Sequence, residues 1–378
     1  MNASSCTQKV IRSLGAFHEF RALWNKLAAA SSFDSVFVRH EWFDAVLSWH
    51  EDPDIFIILV YRDERLIGIV PLQCLISQYR GFAFRTLTFL AVPDTQACGI
   101  IAADNDLPQV LNSALSMLAD NRDWDILDLR LIPHDNQLVG LLPGTCQRAG
   151  LRYILKVNSS NYRIDCSNGS WDGYYKTRSR RLKKGNNLIV NKLGKAIEGI
   201  EMVHHRNISE HDLEKILPRI ISISAASWKR STGLSLDNPA PKRFIKCLSR
   251  HAMQQGWFSA WELNLDGQPV AMEYQLCYGK RIFALRSDFR DDFERLSPGT
   301  YLNFRIIQSL FGDDSEVESY LMGPGDNPYK MRWATHTEDL YRATLYNRTL
   351  RGRAAALLET RIKPLLQHFI QNKEQQEN

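Results

Sequence analysis

The stretch richest in potential chemistry runs from Arg281 to Leu302. Arg281-Ile282-Phe283-Ala284-Leu285-Arg286-Ser287-Asp288-Phe289-Arg290 alternates as a strand, and Leu296-Ser297-Pro298-Gly299-Thr300-Tyr301-Leu302 follows it. Ser297 suits an N-cap and Pro298 the first helical position, so a helix should open there. Gly299 leaves room for a close ligand, and the amides of Gly299, Thr300 and Tyr301 would point outward at the positive end of the helix dipole. Such a turn can cradle a pyrophosphate; the plainer reading of Ser-Pro-Gly is an ordinary cap. Two carboxylates lie nearby in sequence. Glu273 shares a strand face with Gln275 and is a candidate general base, while Asp288, on the same face as Arg286, could orient or deprotonate an acceptor. Salt bridges to Arg286 or Arg305 would account for both carboxylates without chemistry. Tyr329 and Lys330 follow a Gly-Pro-Gly-Asp-Asn-Pro turn and offer a proton donor and a charge partner for phosphate or acceptor, as does Arg286. Trp228 is a surface for acceptor stacking or, with Trp333, a core aromatic.

The elements that must position these residues come in two similar series. Ile55 to Tyr61 and Leu66 to Leu72 flank Arg62-Asp63-Glu64-Arg65 as a hairpin; a strand at Arg85–Leu90, a helix at Leu107–Leu118 and a strand at Asp125–Ile132 follow. Trp257 to Leu265 and Pro269 to Tyr278 flank Asp266-Gly267-Gln268 as a second hairpin, with a strand at Arg281–Phe289, a helix at Pro298–Phe311 and a strand at Val317–Met322. The repeat aligns Asp63-Glu64-Arg65-Leu66-Ile67-Gly68 with Asp266-Gly267-Gln268-Pro269-Val270-Ala271. Ile200–Arg206 reads as the first strand of the second unit and Glu210–Lys229 as its first long helix. Between the units, Trp171 to Lys184 carries Lys176, Arg178, Arg180, Arg181, Lys183 and Lys184. It reads as a solvent-facing helix or as a partner for an anionic acceptor, the donor's phosphates or an RNA carrier. The expected divisions are 1–168, 169–350 and a terminal helix with a frayed tail at 351–378.

Ser297-Pro298-Gly299 after a strand, with Gly323-Pro324-Gly325-Asp326-Asn327-Pro328-Tyr329-Lys330-Met331-Arg332-Trp333, resembles the signature of the CelD/FemAB-like acetyltransferases. Gly68-Ile69-Val70-Pro71-Leu72, Trp124 to Leu129, the basic segment, Trp228 and Asp266 to Ala271 fit the same pattern over residues 35 to 340. The resemblance implies an α+β fold of two tandem GNAT-like domains, each a mixed, largely antiparallel sheet flanked by helices. The first would be degenerate and the second would hold the donor where a strand splays from its neighbour. It further implies an acyl-CoA (acetyl-CoA) co-substrate, no metal, and transfer to an amine or hydroxyl of a small or sugar-type acceptor in polysaccharide or cell-envelope metabolism. Two alternatives stand beside it: FemAB-like transfer from an aminoacyl transfer RNA, the one reading with a nucleic-acid partner, and a non-catalytic accessory protein of polysaccharide synthesis. The second gains from Leu321, which stands where relatives often carry an acid.

Composition sets the outer bounds. The chain has 378 residues, 44% hydrophobic and 24% charged, which suits two folded domains. Its formal net charge of +5 is too small by itself to imply nucleic acid. The apolar runs are too short to span a bilayer and the N-terminus lacks a secretory pattern, so a cytoplasmic location is expected. The seven cysteines show no CxxC pair and no closely spaced histidine partner, and read as reduced, buried thiols. His204 and His205 face opposite ways on one strand and read as structural.

Overall fold

The computed structural model describes residues 6–362 apart from 80, 168 and 313–315. Among the described residues thirteen strands form one sheet. β1 (Cys6–Ile11), β2 (Ile55–Arg62), β3 (Arg65–Tyr79), β4 (Phe82–Phe89), β5 (Ile101–Ala102), β6 (Ile126–Pro133) and β7 (Arg152–Asp165) make up the first half of the chain. β8 (Ile200–Arg206), β9 (Phe258–Leu265), β10 (Gln268–Tyr278), β11 (Arg281–Phe289), β12 (Ser319–Pro324) and β13 (His336–Tyr346) follow. The order across the sheet is β1-β2-β3-β4-β6-β13-β7-β12-β11-β10-β9-β8, with β5 paired to β3.

That order is symmetric about the β13–β7 pair. Outward on one side come β6, β4, β3, β2 and β1; on the other β12, β11, β10, β9 and β8. β4 and β6 are parallel, as are β11 and β12, and the remaining pairs are antiparallel. Each half sends its last strand beside the other half's next-to-last: β13 pairs with β6, and β7 with β12. The two like units implied by the sequence are therefore fused through exchanged strands into a continuous sheet. Both hairpins turn through adjacent residues with positive φ, Asp63-Glu64 and Asp266-Gly267, whose left-handed backbone matches the twist of tight hairpins. The expected boundary at Asn168 lies outside the described residues.

Strict alternation explains the layers. In β2, Ile55, Ile57 and Leu59 face one core while Phe56, Ile58 and Val60 face another. The first core is shared: helices Arg21–Ala29 and His40–Leu47 of the first half pack on it with Glu210–Ala225 and Pro239–Gln254 of the second. On the opposite face each half keeps its own core, under Leu107–Asp120 in the first and Pro298–Ser309 in the second.

Several expectations shift. The helix expected over Glu210–Lys229 stops at Ala225 and a 3-10 turn, Trp228–Thr232, follows. The basic segment breaks into Trp171–Lys176 and Arg180–Ala196, because Ser179 adopts an extended conformation and caps the second helix through Leu182 N. The expected terminal helix is Leu350–Leu357, and the expected tail after Phe369 lies outside the described residues. Among the described residues no helix is long and apolar enough to cross a membrane.

Candidate functional site

β11 and β12 run side by side for three residue pairs, Arg281↔Ser319, Ile282↔Tyr320 and Phe283↔Leu321, and then part. Beyond this parting β11 continues to Phe289 and leads through a 3-10 turn into the Pro298–Ser309 helix. The helix begins at Pro298 as expected, but Ser297 does not cap it. At φ 55 and ψ 48 its backbone is left-handed and its hydroxyl makes no capping bond. The Tyr301 amide is also spoken for, since it donates to Ser297 O at 3.1 Å as the first intrahelical bond. The cradle thus reduces to the amides of Gly299 and Thr300, which no side chain caps. Thr300 is exposed and Gly299 half-buried. Glycine is required there: a Cβ would stand 2.9 Å from the Phe289 ring. No acid lies in the first turn. The Arg180–Ala196 helix packs on this helix and on the preceding turn, where Lys192 Nζ donates to Arg295 O.

The two expected carboxylates lie on opposite faces of the sheet. Glu273 faces the Pro298–Ser309 helix and is 1% exposed, with Tyr320 Oη donating to it at 2.5 Å and Gln275 Nε2 at 2.7 Å. Burial pushes its carboxyl above the usual range, against the hydrogen bonds from Tyr320, Gln275 and Asn303. Tyr329 is on this side too, its hydroxyl raised by burial and by the charge of Glu273. Asp288 stands directly across from Met272, on the shared-core face. It is 2% exposed and held by Lys229 and by Ser224 Oγ at 2.7 Å. The ion partner is therefore Lys229 rather than Arg286 or Arg305.

Arg286 is bound elsewhere. Its Nη2 and Nε lie 2.7 and 3.0 Å from Asp94 Oδ2, and Nη1 donates to Leu234 O at 2.6 Å. Two positions along from Asp94, Gln96 Nε2 donates to Ala284 O at 2.7 Å and lies beside Gly323, at the parting of β11 and β12. The loop after β4 thus reaches from the first half into the gap of the second. Lys330 Nζ closes the other side on the carbonyls of Gly323 and Pro324, at 3.0 and 2.9 Å, and burial lowers its pKa to about 8. Trp228 is 56% exposed beside Lys229. The structure places Tyr329 near Glu273, gathers Arg286, Asp288 and Lys229 on the other face, and leaves the helix start uncapped.

A cavity of about 750 Å³ lies over β3, β4, β6, β13 and β7 on the same face as the shared core. It was not expected from sequence. Thr86, Thr88, Gln73, Asn158 and Thr344 line it, with Asp128 clamped between Arg130 Nε and Arg342 Nε, each at 2.6 Å. Lys156 and Glu359 add further charges. At one end its wall is Pro93, Thr95 and Pro324, next to Gln96 and to the carbonyl that anchors Lys330.

Comparison with known proteins agrees with this architecture. Residues 191–331 match a family model described as acetyltransferase (GNAT) domain. No curated protein matches the chain. Among solved structures, FemX aligns over 89% of this chain and 96% of its own, at TM-score 0.54 and 11% identity. The C-terminal domain of a putative lysylphosphatidylglycerol synthetase from Agrobacterium fabrum covers 90% and 97% at TM-score 0.54 and 14% identity. A tandem GNAT protein from the clavulanic acid biosynthesis pathway covers 91% and 100% at TM-score 0.50 and 9% identity. At these identities the likeness is one of fold. The chain has the GNAT fold, in a tandem arrangement, and its second half carries an acetyltransferase-type domain, that of an acyltransferase.

Proposed function

We propose that this tandem GNAT acyltransferase takes its acyl group from an acyl-CoA and passes it to an amine or hydroxyl of a small, sugar-type acceptor. The observation that carries the reading is the uncapped, acid-free start of the Pro298–Ser309 helix at the open end of the β11–β12 gap. Two outward amides at the positive end of a helix suit a diphosphate, and the neighbouring basic helix adds cations. In this reading the gap beside Ala284 O takes the amide-bearing arm of the donor. The thioester supplies an activated carbonyl and a thiolate leaving group.

The remaining roles follow from placement. Tyr329, near Glu273, is the proton donor for the leaving thiolate. The proton given up by the acceptor passes to solvent and the Tyr329 hydroxyl is restored from it, and Glu273, held by Tyr320 and Gln275, does not touch the acceptor. Lys330, with its pKa near 8, is a charge partner at the meeting of gap and cavity. Asp288 orders Lys229 and the turn bearing Trp228. The acceptor occupies the cavity of the first half, whose hydroxyl, amide and guanidinium lining suits a polyhydroxylated molecule and whose end wall adjoins the gap.

Thr300→Glu tests the proposal. An acid in the first turn interacts favourably with the helix dipole, by about 0.3–1 kcal/mol, so the fold is kept. The same charge repels a diphosphate. Acetyl-CoA affinity, measured by calorimetry, should fall at least about 10-fold with no drop in Tm. Unchanged affinity, or no acetyl-CoA binding by the parent chain, removes the reading; salt-sensitive RNA binding in its place would give the cradle to an aminoacyl donor.

A further inference from the structure

Away from both gap and cavity, where the helices of the two halves meet, metal-binding side chains converge on one carboxylate. Asp44, on the His40–Leu47 helix, has His251 Nε2 at 2.7 Å from Oδ2 and His18 Nε2 at 2.9 Å from Oδ1. Cys247 Sγ lies 3.8 Å from Oδ2. The donor atoms of Asp44, Cys247 and His251 all fall within 4.8 Å of one another. Cys247 and His251 are four residues apart on the Pro239–Gln254 helix, so both project from one face a turn apart. The spacing is that of a helix turn, not of a CxxC pair, and shows only once the helix is formed.

We propose that Asp44, Cys247 and His251 form a zinc site that ties the two halves together. One nitrogen, one sulfur and one carboxylate oxygen form a donor set suited to Zn²⁺ in tetrahedral geometry, with the fourth position open to water. His18 is the outer partner that orients Asp44, as hydrogen-bonded groups do behind metal-bound carboxylates. All three ligands are partly buried, so the ion would be shielded yet reachable. Nε2 of His251 faces Asp44 and would meet the ion, while its Nδ1 is buried with no partner among the described residues. Binding releases the Cys247 thiol proton to solvent and leaves the thiolate on the metal. The ligands come from both halves, and a bound ion would therefore stabilise their docking.

The full chain, stripped with a chelator, is titrated with Zn²⁺ alone by calorimetry. One equivalent should bind with Kd below about 1 μM, and Tm should rise. Cys247→Ser should weaken binding at least about 100-fold, and His18→Gln about 10-fold. Co²⁺ in the parent chain should give a thiolate charge-transfer band that Cys247→Ser abolishes; the parent's own band serves should that variant fold poorly. Binding weaker than about 1 μM, absence of the band, or undiminished affinity in Cys247→Ser overturns the proposal and leaves an ion-pair network. Acetyl-CoA binding is read separately and does not depend on the outcome.

Discussion

The two halves lay out the same strands in the same order and differ in what occupies the space where their parallel pairs part. In the first half β4 and β6 separate beyond Thr88 and Asp128, and the cavity of about 750 Å³ opens there. The Leu107–Asp120 helix that follows in that half has Asp106 at its N-cap position, paired with Arg62 at 2.8 Å, so a carboxylate stands where an anion would bind. In the second half the helix start is free of acid, but the gap holds Gln96 from the first half. One half keeps room without a cradle; the other keeps a cradle whose room a partner loop enters. On the proposed function the two halves each supply part of one site, and the loop from Pro93 to Gln96 is where those parts meet.

The strongest way to break this picture is to cut the join. Arg286 is buried and Asp94 largely so, its side chain 9% exposed, and they make their ion pair across the halves. Asp94→Ala strands a guanidinium that is 4% exposed, and should cost about 3–5 kcal/mol in denaturant unfolding. Pairing it with Arg286→Met removes the orphaned charge and should recover most of that loss. A loss under about 1 kcal/mol for Asp94→Ala would mean that the loop is not a strut between the halves.

Acid probes whether the halves behave as one unit. Burial lowers the pKa of His40, stacked on Phe17 in the first half, to about 4, and that of His204, stacked on Trp261 in the second, to about 4 as well. A histidine whose folded pKa lies below its unfolded value of about 6.5 takes up its proton first in the unfolded chain. Stability is therefore retained above pH 6.5 and lost as pH falls from about 6.5 to about 4, by about 3 kcal/mol for His40. His40→Gln should flatten that part of the pH profile. Because the exchanged strands β7 and β13 make the sheet continuous, unfolding should stay a single transition throughout. Two separate transitions would show that the halves are independent domains.

How much of this could be read from the sequence depends on the range of the interactions involved. β8 and β11 were legible to the residue because apolar alternation and flanking turns fix them locally. β7 and β13, the centre of the sheet, were missed. Asn158, Ser159, Ser160 and Asn161 in one, and Glu338 and Asp339 in the other, obscure the alternation: Asn158 looks into a polar cavity instead of a core, and Glu338 is held by Arg163 on the neighbouring strand. Pro298 and Gly299 announced the helix start through their own backbone preferences. Asp94 and Gln96 announced nothing: they sit in an ordinary Pro-Asp-Thr-Gln loop, and their partners are 192 and 188 residues away. The opposition of Glu273 to Asp288 follows from register, with Met272 facing Asp288 across the ladder, and register is set by both strands together.

The smallest expected effect sharpens the comparison most. Gln96 is buried, donates one bond to Ala284 O, and leaves its Oε1 buried without a partner among the described residues. A half-satisfied amide is a poor permanent filler, because the orphaned oxygen offsets the bond its nitrogen makes. Gln96→Ala should therefore change stability by only about 1 kcal/mol. If the gap takes the donor's amide-bearing arm, the same variant frees Ala284 O, and acetyl-CoA should bind several-fold more tightly. Tighter binding with Gln96→Ala and weaker binding with Thr300→Glu would place the two ends of one ligand in gap and cradle. An effect of Thr300→Glu alone would confine the donor to the helix start and leave the Gln96 loop as a structural bridge.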